Sequence, residues 1–161
     1  MDTTNDIERQ LLWFKDMHEI QVLKARYSEL CDRAIRLKDV TAAVALADLF
    51  TEDAIVDMGA PRSPFIGRIA ITKFYGEDLP ATVTWAWHAP LAPIITIEGD
   101  WAQANWIVHA AATFPSTPDA PPLLTFGRYV DNYVRTISGW KQSHLKFLNE
   151  TPQSATADPK K

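Results

Sequence analysis

The first third of the chain carries apolar residues at three- and four-residue steps, the spacing of one helix face. The recurring positions between residues 7 and 38 are Ile20, Leu23, Tyr27, Leu30, Ala34 and Leu37, with no proline or glycine in the segment. The pattern predicts a long amphipathic helix, with a separate short helix around residues 11–14 as an open alternative. A second helix is predicted over residues 40–50, because Asp39 is a suitable N-cap and an alanine-rich segment follows it.

After residue 50 the pattern changes to runs of β-branched and aromatic residues, which are typical of strands. The predicted elements are a strand over residues 55–58, a loop over 59–64, a short helix over 68–75 that begins after Gly67, three strands between Trp85 and Phe114, and two strands over 123–136 and 140–147. Prolines and the Glu98–Trp101 turn divide the three strands. The proline-rich run over 115–122 can donate few ladder hydrogen bonds, so it is predicted to be an exposed hairpin loop or lid.

The predicted chain has its helices first and a meander of long antiparallel strands afterwards. This order is typical of an α+β fold. A strongly curved sheet wrapped around the first helix would leave a conical cavity between the two. Residues 1–150 are predicted to form a single domain, because 161 residues with 47% hydrophobic content fill one core. Residues 151–161, which are rich in proline, alanine and polar side chains, are predicted to be a disordered tail.

The composition narrows the classes of partner. A net charge of -4, with sixteen scattered Lys and Arg residues, argues against nucleic acid. No apolar run approaches the roughly 20 residues that cross a bilayer, and the N-terminus lacks signal-peptide features, so we expect a cytoplasmic protein without membrane contact.

The single cysteine, Cys31, excludes an intramolecular disulfide, and its place on the apolar stripe favours inert packing. Six Trp, seven Phe and four Tyr residues fit a cavity for a flat apolar or aromatic ligand, and fit core or interface packing equally well.

Two histidines, His88 and His109, lie in predicted strands among mostly apolar neighbours. Burying an imidazole is unfavourable unless a hydrogen-bond partner is close. Because side chains alternate along a strand, His109 is expected on the same face as Asn105, Ile107 and Ala111. The opposite face is expected to carry Trp106, Val108 and Ala110. Either face could line the cavity. His18 and His144 are expected at the surface or at a strand end, and no two histidines have metal-ligand spacing, so no metal site is predicted.

Short motifs between residues 15 and 148 carry a family resemblance. They are Tyr27-x-x-x-x-Asp32-Arg33, Leu49-Phe-Thr-Glu-Asp-Ala-Ile-Val-Asp57, Phe65-x-Gly67, Trp87-His88, Gly127-Arg-Tyr-Val-Asp131 and Gly139-Trp140-Lys141. Together they resemble the SnoaL-like branch of the nuclear transport factor 2-like (NTF2-like) superfamily. The resemblance implies a cone of curved, mixed or antiparallel sheet around a long N-terminal helix, with an internal apolar cavity. It leaves the reaction open, because the superfamily includes dehydratases, isomerases, epoxide hydrolases, polyketide cyclases, dehydrochlorinases and binding domains.

The polar residues most resemble those of scytalone dehydratase and the bile-acid 7α-dehydratases. The resemblance implies four catalytic residues: Tyr27, Asp32, His88 and His109. It implies a cofactor-independent lyase acting on an aromatic or polycyclic hydroxy compound. In that chemistry His88, oriented by Asp32, removes a proton next to a carbonyl or phenol, while Tyr27 and His109 protonate the leaving oxygen or hold an enolate.

Helical geometry alone does not place Asp32 in the cavity. At 100° per residue it falls nearly opposite the apolar stripe, a position typical of a solvated residue. Only the resemblance, or a helix that bends or bulges after Leu30, brings it to His88. Asp39 is the alternative partner, because the segment that follows Asp32 is longer than is usual in the family.

Four aromatic residues are the candidate substrate contacts: Tyr129, Trp85, Trp106 and Phe126. Tyr129 shares a strand face with Thr125 and Asp131 and is either a hydrogen-bond donor to the substrate or a sheet-packing residue. The Trp and Val content of the outer sheet face predicts a homo-oligomer, a dimer or a trimer, because that face would otherwise be exposed.

Three other functions stay open at this point. Retro-aldol release of an aldehyde from an aromatic diol would use the same base on a hydroxyl proton. A ketosteroid-type isomerase would move a double bond next to a carbonyl. A non-catalytic small-molecule-binding module is an alternative of a different class, and it predicts that the His and Asp side chains do not converge. A His88–carboxylate hydrogen bond in a closed pocket favours the enzyme.

Overall fold

A long helix packs against a curved six-stranded sheet in the computed structural model, which describes residues 3–152 and side chains from residue 6 onward. The helical segments are α1 (Thr3–Leu37), α2 (Val40–Ala47), α3 (Arg68–Lys73), a π-helical turn (Phe74–Asp78) and α4 (Leu79–Thr82). The strands are β1 (Phe50–Asp57), β2 (Phe65–Ile66), β3 (Trp85–Glu98), β4 (Trp101–Thr113), β5 (Leu123–Thr136) and β6 (Gly139–Asn149). The predicted α+β order is confirmed.

The sheet has the strand order β2–β1–β6–β5–β4–β3. Neighbouring strands are antiparallel except β1 and β6, which are parallel, so the sheet is mixed. β3 forms one edge of the sheet, and α1 runs along that edge. The helix therefore contacts both the inner face of the sheet and the backbone of its edge strand.

The core lies between α1 and the inner face of the sheet. Most of the apolar stripe predicted on α1 is buried, and its best-covered members are Ile20, Leu23, Tyr27, Cys31 and Ala34. Leu37, at the C-terminal end of the helix, is exposed, so the stripe was predicted one turn too far. Burial raises the pKa of the Cys31 thiol, so the side chain stays protonated and packs as a small apolar group.

The segment from Trp85 to Phe114 forms two strands, and the prediction of three was wrong. Pro90 and Pro93 both lie within β3. An edge strand tolerates proline because half of its backbone groups point away from the ladder. The pairing of β3 with β4 shifts register beside these prolines, between Leu91 and Ile94, which absorbs the irregularity without ending the strand.

The two predicted N-terminal helices also differ from the structure at their ends. Residues 11–14 belong to the continuous helix α1 and do not form a helix of their own. The second helix ends at Ala47, because Phe50 already begins β1. Asp39 caps it as predicted, with its carboxylate accepting a hydrogen bond from the backbone N–H of Ala42 at 3.1 Å.

The C-terminal end of the described chain is held against β5. Thr151 Oγ1 accepts a hydrogen bond from the backbone N–H of Phe126 at 2.8 Å. The rest of the predicted disordered tail, residues 153–161, lies outside the described residues. Over residues 3–152, none of the helices is long and apolar enough to cross a membrane.

Candidate active site

A histidine and a carboxylate meet where α1 crosses the edge of the sheet. His88 Nδ1 lies 2.7 Å from Asp32 Oδ1, and the backbone N–H of His88 donates to Asp32 Oδ2 at 3.2 Å. The two side chains are 17% and 13% exposed, respectively. An ionised carboxylate can only accept, so Nδ1 carries the proton in this contact and Nε2 is left able to accept one. The structure thus brings together the two residues that the resemblance paired.

The free backbone of β3 explains why Asp32 points towards the sheet. An edge strand presents unpaired N–H and C=O groups, and two side chains one helical turn apart satisfy them. Asp32 accepts the N–H of His88, while Arg36 Nε donates to the carbonyl of Ala86 at 2.6 Å. Arg36 Nη2 also donates to Asp32 Oδ2 at 3.4 Å. Asp32 therefore has three hydrogen-bond contacts, which hold its orientation.

Helical geometry was wrong in assigning Asp32 to solvent. The helix is unbroken and α-helical from Thr3 to Leu37, so the contact of Asp32 with His88 forms without a bulge after Leu30. The error arose because α1 is covered on two sides, by the core and by the β3 edge, and a single apolar stripe reveals only the first. The alternative partner, Asp39, is occupied elsewhere: it caps α2 and accepts a hydrogen bond from Arg33 Nε at 2.7 Å.

A cavity of about 120 Å³ opens beside His88 on the inner face of the sheet. Its other polar lining groups are Thr125 and Tyr129, both on β5. The apolar lining comes from Met58, Val108, Phe147 and the alanine run Ala110–Ala112. Of these residues, the sequence pointed to Tyr129 as a ligand contact. Met58 and Phe147 gave no signal, because a residue-by-residue pattern does not show which distant segments the sheet brings together.

A layer of tyrosines lies beneath the cavity. The Tyr129 ring is buried and meets the Tyr27 ring edge to face, with centroids 6.0 Å apart. The Tyr27 hydroxyl is hydrogen-bonded to the Tyr75 hydroxyl at 2.8 Å. Burial raises the pKa of all three phenols, so they remain neutral hydrogen-bonding groups. Tyr27, a predicted catalytic acid, does not line the cavity and lies behind Tyr129.

A fully buried ion pair lies against these tyrosines. Lys24 Nζ is 2.8 Å from Asp131 Oδ2, and both side chains are 0% exposed. The Tyr133 hydroxyl also donates to Asp131 Oδ2, at 2.9 Å. The Lys24 ammonium lies 3.7 Å from the centroid of the Tyr129 ring and 4.4 Å from that of Tyr27, which is cation–π geometry.

Burial opposes charge on both members of this pair. It lowers the pKa of Lys24 and raises that of Asp131, and the attraction between the two works against both shifts. The sequence contained a signal for this pair, because Lys24 occupies the apolar stripe four residues after Ile20, and Asp131 shares a strand face with Tyr129. Sequence reasoning missed both residues.

Two predicted site residues lie on the outer face of the sheet. His109 pairs with Phe126 across β4 and β5, and their rings meet edge to face at 5.0 Å. Both side chains are exposed, and the structure does not bring either to the cavity. Strand alternation separated the two faces correctly but could not say which face is inner.

Two predicted aromatic contacts are also away from the cavity. Trp106 is on the inner face but belongs to the core and is not part of the cavity lining. Trp85 is part-exposed, and the Arg36 guanidinium lies 4.8 Å from its ring centroid. Trp85 therefore contacts the arginine that holds Asp32.

A larger surface groove of about 380 Å³ lies along another part of α1. Its lining residues with ionisable side chains are His18, Glu19, Arg26 and Lys141. Within the described chain, no two of these four side chains pair with each other, so the groove contains no counterpart of the Asp32–His88 contact. No group of three or more His, Cys, Asp or Glu side chains in residues 3–152 is placed to hold a metal ion.

A long N-terminal helix packed against a curved mixed sheet is the fold of NTF2-like proteins. The chain belongs to the SnoaL-like domain family, whose model matches residues 14–146. The resemblance stated from the sequence motifs is thereby confirmed. No curated protein matches the chain in sequence.

Solved structures share this fold at low sequence identity. An NTF2-like protein with a cystatin-like fold from Novosphingobium aromaticivorans has a TM-score of 0.73 at 23% identity, covering 96% of this chain and 95% of that chain. A proposed scytalone dehydratase from the same organism has a TM-score of 0.68 at 23% identity, with coverages of 92% and 88%. A hexachlorocyclohexane dehydrochlorinase has a TM-score of 0.75 at 15% identity, with coverages of 91% and 94%. At these identities the likeness establishes the fold.

Proposed function

We propose that the protein is a cofactor-independent lyase of the dehydratase type, acting on a cyclic or aromatic hydroxy compound. The observation that supports this most directly is the Asp32–His88 hydrogen bond of 2.7 Å at the edge of an apolar cavity. A carboxylate that fixes one imidazole nitrogen leaves the other as a positioned general base. A binding module has no need for that arrangement.

The proposed reaction is elimination of water from a β-hydroxy carbonyl compound. His88 Nε2 takes the proton from the carbon next to the carbonyl, and the electron pair of that C–H bond forms the new double bond. The C–O bond to the β-hydroxyl breaks, and the hydroxyl leaves as water with the proton that His88 had taken. The protein returns to its starting state, and no other reactant is consumed.

The other cavity hydroxyls would bind the oxygens of the substrate. Thr125 and Tyr129 are the two hydroxyl side chains that line the cavity with His88. A neutral phenol can donate a hydrogen bond to an oxygen that gains negative charge as the proton leaves carbon. We assign this role to Tyr129, with Tyr27 supporting its ring from behind. The sequence-based role of His109 has no support in the geometry, since its side chain is on the outer face.

The proposal is tested with ring β-hydroxy ketones that contain one or two rings, such as 3-hydroxycyclohexanone and 3-hydroxy-1-tetralone. Mass spectrometry follows the loss of one water, with H88A and D32N as the inactive variants and I107A as the matched outer-face control. We expect the wild-type protein and I107A to dehydrate at least the single-ring ketone, and we expect a loss of about 100-fold or more in H88A. Equal rates in H88A and the wild-type protein would overturn the proposal.

We also propose that the protein is a homo-oligomer that associates through the outer sheet face. That face exposes large apolar side chains from four neighbouring strands: Trp87, Ile107, Phe126 and Leu148. Exposed apolar patches of this kind mark interaction surfaces. Light scattering should give a mass above that of the monomer, and I107D should lower it. The cytoplasmic location stays a prediction.

A further inference from the structure

We infer that this cavity selects compounds with a single six-membered ring and excludes fused-ring compounds. The inference rests on the proposed function, because it narrows the substrate class of the same site from cyclic compounds in general to monocyclic ones. Three observations support it: the volume of the cavity, the rigidity of its floor and the placement of its polar groups.

The volume fits one ring. The cavity holds about 120 Å³, whereas pockets for drug-sized molecules span roughly 300–1,000 Å³. A closed apolar cavity of about 150 Å³ accommodates benzene in another protein. The present cavity is open at the mouth, so a substituent can extend outward while one ring is enclosed. A second fused ring would double the flat part of the ligand and would not fit beside His88.

The floor of the cavity cannot recede to admit a larger ligand. Tyr129 packs against the Tyr27 ring and the Lys24 ammonium on α1, with the ammonium 3.7 Å from its ring centroid. Moving Tyr129 would expose the buried Lys24–Asp131 pair, which is strongly unfavourable. The cavity is therefore closed at its base by residues that are themselves fully packed.

One wall is also fixed. Phe147 packs over Gly127, where an added Cβ would come within 2.9 Å of its ring and 2.2 Å of the Leu148 carbonyl oxygen. The missing side chain at Gly127 is what allows the ring to lie so close to β5. Met58 is the one flexible lining residue, because an unbranched thioether side chain adapts its shape easily. The cavity can therefore change its shape for a ligand mainly at the wall that Met58 forms.

Few polar groups line the cavity. His88, Thr125 and Tyr129 are the polar members of a lining that is otherwise apolar. Such a set suits a ring with one or two oxygen substituents, whose carbon faces contact the small side chains of Ala110 and Ala112. These alanines are part of the selection, because larger side chains there would occupy the space of the ring.

The test is a ring-size series that shares one functional group: phenol, 2-naphthol and estradiol, titrated into the full-length protein by calorimetry. Transfer from water favours the larger compounds, since affinity driven by apolar area alone rises with each ring. The cavity predicts the reverse order, with phenol binding at least 10-fold more tightly than 2-naphthol and no measurable binding of estradiol.

Two variants and one control sharpen the result. A112L fills the cavity and should weaken phenol binding at least 10-fold. F147A opens one wall and should strengthen 2-naphthol binding at least 10-fold, with M58A as the second variant should F147A fail to fold. L148A removes a neighbouring side chain on the outer face and should leave all three affinities unchanged.

Each outcome decides the inference. Tighter binding of 2-naphthol or estradiol than of phenol by the wild-type protein would overturn single-ring selection while leaving the proposed lyase intact. Absence of phenol binding at every concentration tested would overturn it too. If phenol binds in the expected order but no ring ketone is dehydrated, the size selection stands and the proposed lyase fails.

Discussion

Two of the contacts that join α1 to the sheet pair a basic side chain with an acidic one inside the molecule, and they differ in their access to solvent. Asp32 and His88 meet at the cavity and are 13% and 17% exposed. Lys24 and Asp131 meet beneath it and are 0% exposed. Desolvation penalises charge most where no water is left, so the inner pair is poorly suited to exchanging protons with a ligand. The comparison separates a contact that can do chemistry from one that can only stabilise the fold.

The largest effect is expected when the inner pair is broken. K24M leaves Asp131 buried without its cation, and removing one partner of a buried pair costs about 3–5 kcal/mol. The free energy of unfolding, measured with guanidinium chloride, should fall by that amount. The double variant K24M/D131L replaces both charges with apolar groups and should recover most of the loss. Equal stability of K24M and the wild-type protein would show that the pair is not structural.

Breaking the Asp32–His88 contact should lower the reaction rate strongly and the stability of the fold only weakly. D32N keeps an acceptor for the backbone N–H of His88 but removes the carboxylate that fixes the imidazole. We expect turnover of a ring β-hydroxy ketone to fall about 100-fold, which equals about 2.7 kcal/mol of activation free energy. The free energy of unfolding should change by less than about 1 kcal/mol. If the main effect of D32N is a loss of stability and not of turnover, Asp32 belongs with Lys24 among the residues that stabilise the fold.

The K24M variant should also acquire a pH dependence of a definite sign. Burial raises the pKa of Asp131 above its ordinary value near 4, and without Lys24 that shift is opposed only by the Tyr133 hydroxyl and by the weaker influence of His144. Between the unfolded and folded pKa values the native state binds a proton that the unfolded state has lost.

Stability of K24M should therefore fall as pH rises through this window, by up to about 1.4 kcal/mol per pH unit, and should be greatest at the acidic end. Unfolding curves collected between pH 4 and pH 7 measure this slope. A variant whose stability rises over the same range would contradict the assignment of Asp131 as the buried acid.

The smallest effect is expected from the other strand histidine. His109 is on the outer face, where its ring meets that of Phe126 edge to face, while His88 faces inward. H109A should leave turnover within about twofold and the free energy of unfolding within about 0.5 kcal/mol. A loss of activity comparable to that of H88A would restore His109 to the catalytic set and would require the outer face to be part of the site.

The fold was predictable because it depends on periodicity that is local in the chain. The apolar stripe of α1 and the β-branched runs from Trp85 onward each specify an element and its buried side. Asp32 and Lys24 were harder, for opposite reasons. Asp32 lies off the apolar stripe, yet it contacts the edge strand β3. Lys24 lies on the stripe, yet it is buried against Asp131, which is more than 100 positions away in the chain. Both depend on which segments meet, and periodicity does not contain that information.

The cavity was harder still to predict. Its volume is set by alanines at 110–112 and by the absence of a side chain at Gly127, and small residues give little signal in a sequence. The large aromatics, by contrast, fitted a ligand cavity and core or interface packing equally well. Trp106 fills the core, while Trp85 and Phe126 lie outside the cavity. A count of aromatic residues thus could not locate the site.

Proton removal from carbon by His88 is the central claim, and exchange in heavy water tests it without requiring the correct leaving group. The wild-type protein is incubated with 3-hydroxycyclohexanone in D₂O, and mass spectrometry follows deuterium at the carbon next to the carbonyl. Incorporation above the buffer rate that disappears in H88A and D32N and persists in I107A is the predicted result. Incorporation no faster than buffer, or equally fast in H88A, would contradict a positioned base and would favour a binding module.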